Sequence, residues 1–108
     1  MKKSIIRPIR SYVLRQGRLT KHQAEGIKIH SPLYAVPFSD DTLNWDTIFR
    51  NNGKKIIEIG FGMGHTTAEI AKNLPDSNFV AIDVHSPGVG NLLNKIKENE
   101  LSNLKIIQ

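Results

Sequence analysis

Hydrophobic positions along this chain switch between two periods, and the switches mark out its elements. Lys55 to Ile59 is a short run dominated by isoleucine, and β-branched residues on both faces are what a buried parallel strand needs. From Thr66 the spacing becomes helical: Thr67, Ile70, Ala71 and Leu74 fall at i, i+3, i+4 and i+7, and Pro75 with Asp76 closes the segment. Phe79 to Ile82 is a second apolar run, ending at Asp83. Val89, Leu92, Leu93 and Ile96 then give a second helix an apolar face, with Lys95, Lys97, Glu98 and Glu100 on its solvated side. Leu104 to Gln108 begins a third strand. Strands alternating with helices predict an α/β fold in which right-handed crossovers join parallel strands.

The pattern is weaker before residue 54. Trp45, Ile48 and Phe49 have helical spacing after Asn44, a good N-cap, and Asn52-Gly53 ends the segment. A short helix covering the sheet is expected there, with Trp45 in the core rather than stacking on a substrate. Pro32 and Pro37 make His30 to Asp41 a loop, with Tyr34 and Phe38 packed beneath it. Thr20 and Gln23 fit a capping box opening a short helix that Gly26 would weaken. The chain divides on this reading into an extension, 1–40, and an α/β domain, 41–108.

Composition excludes several classes. There are no cysteines among the 108 residues, so neither a disulfide framework nor a thiolate metal site is available. The four histidines are scattered without metal-ligand spacing, and no metal is expected. No apolar run approaches the roughly 20 residues that span a bilayer, and the first ten residues lack a signal-peptide hydrophobic segment; a soluble, cytoplasmic protein without membrane contact is expected. The net charge of +5 is uneven: residues 1–28 carry eight basic side chains against Glu25, a net of +7, and the remainder nets −2. Clustered arginine and lysine neutralise nucleic-acid phosphates, and Tyr12 adds a stacking surface. On charge alone a solvated basic tail with no partner explains the segment equally well.

Gly60, Gly62 and Gly64 follow the first strand at alternate positions. Missing Cβ atoms let a strand-to-helix turn take crowded dihedrals and come close to a ligand. A dinucleotide fingerprint would need a glycine where His65 stands, and a phosphate loop would need Lys-Ser/Thr after Gly64. Both readings fail, and with the first a dinucleotide-dependent oxidoreductase is disfavoured. What stands is Glu58, then G-x-G-x-G, then Asp83 at the carboxyl end of the next strand, where open α/β sheets bind ligands. The plain alternative is an ordinary tight turn. The pattern resembles the S-adenosylmethionine site of Rossmann-like methyltransferases, in which a carboxylate accepts from the ribose hydroxyls; Asp83 is placed for that.

Longer words sharpen the resemblance. Glu58-Ile-Gly-Phe-Gly-Met-Gly64 and Ile82-Asp83-Val84-His85-Ser86-Pro87-Gly88-Val89-Gly90 are similar to the bacterial tRNA (guanine-N7)-methyltransferase family, and Arg10 to Thr20, RSYVLRQGRLT, resembles its amino-terminal signature. The family usually has Glu where Asp83 stands, a longer reach for the same carboxylate. The resemblance implies a Rossmann-like S-adenosylmethionine-dependent methyltransferase fold, truncated after the third strand, with a basic amino-terminal extension. It also implies methyl transfer from S-adenosylmethionine to N7 of a variable-loop guanine in tRNA. Glu58, Gly60, Gly62, Gly64 and Asp83 would hold the cofactor, and Arg10, Arg15, Arg18 and Lys21 would contact tRNA. His85 is either a site contact or a hydrogen-bonded turn residue. Nothing here matches the family's adenine-holding acid, its Asp-Pro-Trp region or its carboxyl-terminal substrate motifs. Catalytic residues are therefore expected beyond residue 108, and this stretch is expected to be inactive alone. A non-catalytic RNA-binding remnant is the alternative.

Overall fold

A computed structural model describes residues 18–108; Met1–Gly17, and with them Arg10 and Arg15, lie outside the described residues. The elements in chain order are α1 (Lys21–Tyr34), α2 (Trp45–Phe49), β1 (Lys54–Ile59), α3 (His65–Asn73), β2 (Ser77–Ile82), α4 (Ser86–Glu98) and β3 (Leu104–Ile107). The strands form one parallel sheet in the order β1-β2-β3, with Ile56 beside Phe79 and Phe79 beside Leu104. This is the expected Rossmann-like α/β arrangement, and the boundaries of the three strands and of α3 fall within two residues of those the hydrophobic pattern predicts. Helix α4 begins earlier, at Ser86 and not at its first apolar position, Val89, because Pro87 is compatible with the first turn of a helix.

Alternation along the strands divides the sheet into two unlike faces. One face, Ile56, Phe79, Ala81, Leu104 and Ile106, meets Ala68 and Ala71 of α3 and Val89, Leu92, Leu93 and Ile96 of α4 in a single core. The other bears Ile82 and Ile107, which with Val36, Pro37, Leu43 and Ile48 line a cavity of about 460 Å³. The two edges differ as well. Val36 N–H donates to Ile106 O at 2.7 Å and Ala35 bridges to Ile106, so the segment after α1 covers the β3 edge. Among the described residues no strand pairs with the outer edge of β1.

Four expectations need correction. The capping box forms as predicted, Thr20 Oγ1 accepting from Gln23 N–H and Gln23 Oε1 from Thr20 N–H, but α1 runs on through Gly26 and Pro32 to Tyr34. Gly26 does not cut it short, because that glycine is where α1 presses on α4: a Cβ there would stand 2.4 Å from Asn94 Oδ1. Pro32 lies in the last turn, where Ala35 N–H still closes onto Ser31 O and Lys105 Nζ donates to Leu33 O at 3.1 Å. Tyr34 is packed against the core, but Phe38 is 67% exposed. Asn44 caps α2 as predicted, yet α2 contributes no buried residue; Trp45 is half-buried and stacks on Phe49 at 5.7 Å. On α3 the buried stripe is Thr67, Ala68 and Ala71, while Ile70 and Leu74 are exposed, because Ile70 overhangs a groove along the open β1 edge instead of a neighbouring strand. No helix of the described residues is long and apolar enough to cross a membrane.

Candidate functional site

The glycine turn leaves β1 with Gly60 N–H still donating to Ile82 O at 2.7 Å, so the sheet ladder runs to the start of the turn. Gly60, Gly62 and Gly64 then take φ values of +81°, +63° and +84°. A Cβ at Gly60 or Gly62 would meet no protein atom within 4 Å. Glycine is required at these two positions by left-handed backbone and not by crowding, and their faces are open for a ligand. Phe61 between them is buried and anchors the turn in the core. Gly64 ends the turn and starts α3, with Ala68 N–H donating to its carbonyl.

Asp83 follows β2 at the same end of the sheet. Its Oδ2 accepts from Gly62 N–H at 2.8 Å, and its Oδ1 accepts from Val84 N–H at 2.7 Å and His85 N–H at 3.3 Å. Three backbone donors thus orient the carboxylate, and one of them belongs to the turn. Asp83 N–H donates to Ile107 O at 3.2 Å, so the residue is stitched to the end of β3 too. His85 is the N-cap residue of α4 and makes no side-chain cap bond, so its contact with Asp83 runs through the backbone. Gln108 reaches across from β3, donating to Ser86 Oγ at 2.7 Å.

Glu58 lies one residue from the end of β1, and its Oε1 accepts from Thr67 Oγ1 at 2.5 Å. Periodicity counts Thr67 as a member of an apolar stripe. It is buried, and its hydroxyl instead fixes the acid, a role that a threonine facing an acid nine residues earlier could have signalled. The structure therefore brings Glu58, the three glycines and Asp83 to the carboxyl ends of β1 and β2. Arg18 and Lys21 are exposed at the amino-terminal end of α1. Among the described residues no cluster of His, Cys, Asp and Glu is suited to hold a metal.

One further residue that holds the turn escapes pattern reading. Asn91 Nδ2 donates to Met63 O at 2.6 Å, bonding α4 to the turn. Its signal in the sequence is an amide three residues after Gly88, hence on the same side of the helix.

A family model described as "Putative methyltransferase" matches residues 52–108. Among curated proteins, the tRNA (guanine-N(7)-)-methyltransferase of Methylobacillus flagellatus is 50% identical over 103 residues, covering 94% of this chain and 43% of the relative. That of Nitrosomonas eutropha is 50% identical over 100 residues, 93% of this chain and 45% of the relative; that of Aliivibrio fischeri is 46% identical over 103 residues, 95% and 43%. The chain spans less than half the length of these relatives. The region matched by the family model takes in more than half of the chain, including the strand, the glycine turn and Asp83, and the chain belongs to this methyltransferase family.

Proposed function

We propose that this chain carries the part of a cytoplasmic tRNA (guanine-N7)-methyltransferase that holds the methionine and ribose of S-adenosylmethionine. The observation that carries the reading is the bond between Gly62 N–H and Asp83 Oδ2 at 2.8 Å, which joins an open glycine turn to an oriented carboxylate. The names of relatives sharing half of its residues support the choice of substrate. A carboxylate offers about four lone-pair positions, and three backbone donors leave Asp83 capacity for a ribose hydroxyl. The open faces of Gly60 and Gly62 let a ligand lie on the backbone. Glu58, held through one oxygen by Thr67, offers its second oxygen to a cationic amino group.

When bound, S-adenosylmethionine supplies an electrophilic methyl on a sulfonium. Guanine N7 presents a lone pair and no proton, so its reaction asks for alignment more than for acid–base help. The share of this chain is to hold and orient, and none of the described residues is assigned a catalytic role. Arg10, Arg15, Arg18 and Lys21 are read as phosphate contacts that bring tRNA to the site. The test is a titration with S-adenosylhomocysteine followed by amide NMR. Weak binding, about millimolar, is expected to move the Phe61–Gly64 and Asp83 resonances in the wild type and none of them in Asp83→Ala. Shifts confined to another part of the chain, or none at all, would overturn the reading.

A further inference from the structure

Helix α4 opens with Pro87-Gly88-Val89-Gly90, and Gly88 is a point of contact with the turn. A Cβ on Gly88 would lie 1.8 Å from the carbonyl oxygen of Gly62 and 2.9 Å from its carbon, so the two backbones touch. Three residues on, Asn91 Nδ2 donates to the carbonyl of Met63 at 2.6 Å. Gly62 and Met63 are the tip of the turn. The tip therefore rests on Gly88, is bonded by Asn91 from the helix side, and is bonded by Asp83 from the sheet side.

The turn needs that support. Gly60, Gly62 and Met63 are exposed, so little packing holds them, and glycine loses more backbone freedom on ordering than any other residue. Glycine takes the left-handed φ of Gly62 without strain, so what its neighbours supply is the selection of that one conformation among the several open to it. The bland reading, in which Asn91 is one of many surface amides, leaves the coincidence with Gly88 on the same helix side unexplained.

We infer that Gly88 and Asn91 are positioning residues for the glycine turn, holding Gly62 and Met63 in the conformation that receives the ligand. The identity of that ligand rests on the S-adenosylmethionine reading; the positioning does not. The test compares Asn91→Leu, which removes the donor at similar volume, and Asn91→Asp, which sets a carboxylate against the Met63 carbonyl, with wild type. Amide hydrogen exchange is read by NMR, alongside the S-adenosylhomocysteine titration. Asn91→Leu is expected to speed Gly62 and Gly64 exchange about fivefold, the equivalent of one neutral hydrogen bond of about 1 kcal/mol, with Ile106 unchanged, and to weaken the ligand by a similar factor. Asn91→Asp is expected to speed it further, and to return towards wild type, compared at equal pH, once the introduced carboxyl is protonated and can donate. Gly88→Ala should disturb the turn most. Unchanged exchange at Gly62 and Gly64, or an equal rise at every amide, would overturn the proposal. Altered exchange without ligand binding in any sample, wild type included, would uphold the positioning and sink the cofactor reading.

Discussion

Replacing Gly26 by Ala sets two well-known effects against each other, and the structure decides the sign. In an exposed mid-helix position the change should stabilise by about 1 kcal/mol, because alanine has the higher helix propensity. Gly26, however, is the one buried residue of α1, and its new Cβ would stand 2.4 Å from Asn94 Oδ1 and 2.8 Å from Asn94 Cγ. Asn94 is itself buried and donates to His22 O at 3.1 Å. Pushing it aside costs about 1–3 kcal/mol of overpacking and about 1–3 kcal/mol for a buried amide left unpaired. The crossing is close at a second point, where a Cβ on Gly90 would lie 2.5 Å from the Gln23 carbonyl oxygen, so moving the helices apart to accommodate the new Cβ would give up that contact as well. The expected net effect is a loss of about 2 kcal/mol, read in urea as a lower midpoint with an unchanged slope. Removing the obstacle should reverse the sign: in an Asn94→Ala background Gly26→Ala should be neutral or stabilising, a coupling of about 2–3 kcal/mol. A single Gly26→Ala variant more stable than wild type by about 1 kcal/mol would refute the close crossing of α1 and α4.

Two further outcomes follow from charge. If the amino-terminal arginines contact phosphate, Arg10, Arg15 and Arg18 replaced together by Ala should flatten the log–log salt dependence of tRNA binding by about 0.7–0.9 per lost contact, whereas Lys72, Lys95 and Lys97 replaced together should do much less; equal losses in filter binding would mean a diffuse positive surface. Lys105 is unsuitable for that control, because its Nζ caps α1 at Leu33 O and lies over the Tyr34 ring. Burial holds the Lys105 pKa below its ordinary 10.5, so the folded state releases its proton first, and wild-type stability relative to Lys105→Met should rise as pH climbs through the range just below 10.5. A flat difference in denaturant midpoints across that range would remove the effect.

The strands, the glycine turn and the position of Asp83 were legible because each follows from local chemistry: β-branched runs, missing Cβ atoms, and the rule that a strand's carboxyl end faces the ligand. What could not be read was which surface each helix would meet. Ile70 and Leu74 have the right spacing for burial and are exposed, since period alone reports a face and not whether anything covers it. Pro32 and Gly26 argued for a short α1, but the contact with α4 and the Lys105 cap stabilise the helix from outside its own sequence. Thr67 and Asn91 were missed for the same reason. Their partners, Glu58 and Met63, are 9 and 28 residues away and come near only when the crossover is folded.

The two acids of the site differ in how firmly they are held, and the sheet explains why. Asp83 follows the middle strand, is bonded to the end of β3, and has three backbone donors on its carboxylate. Glu58 sits on the edge strand with a single hydroxyl donor. On the face of β1 opposite Glu58, Ile57 and Ile59 are 51% and 79% exposed, although isoleucine on both faces is the composition of a strand buried on both. Among the described residues nothing covers that strip. A ligand group that Asp83 receives meets an acceptor already oriented, so little ordering has to be offset on binding. A group that Glu58 receives must also order an uncovered strand end. If the site receives the proposed cofactor, its affinity should be limited on the β1 side, and covering Ile57 and Ile59 should raise it without touching the ligand.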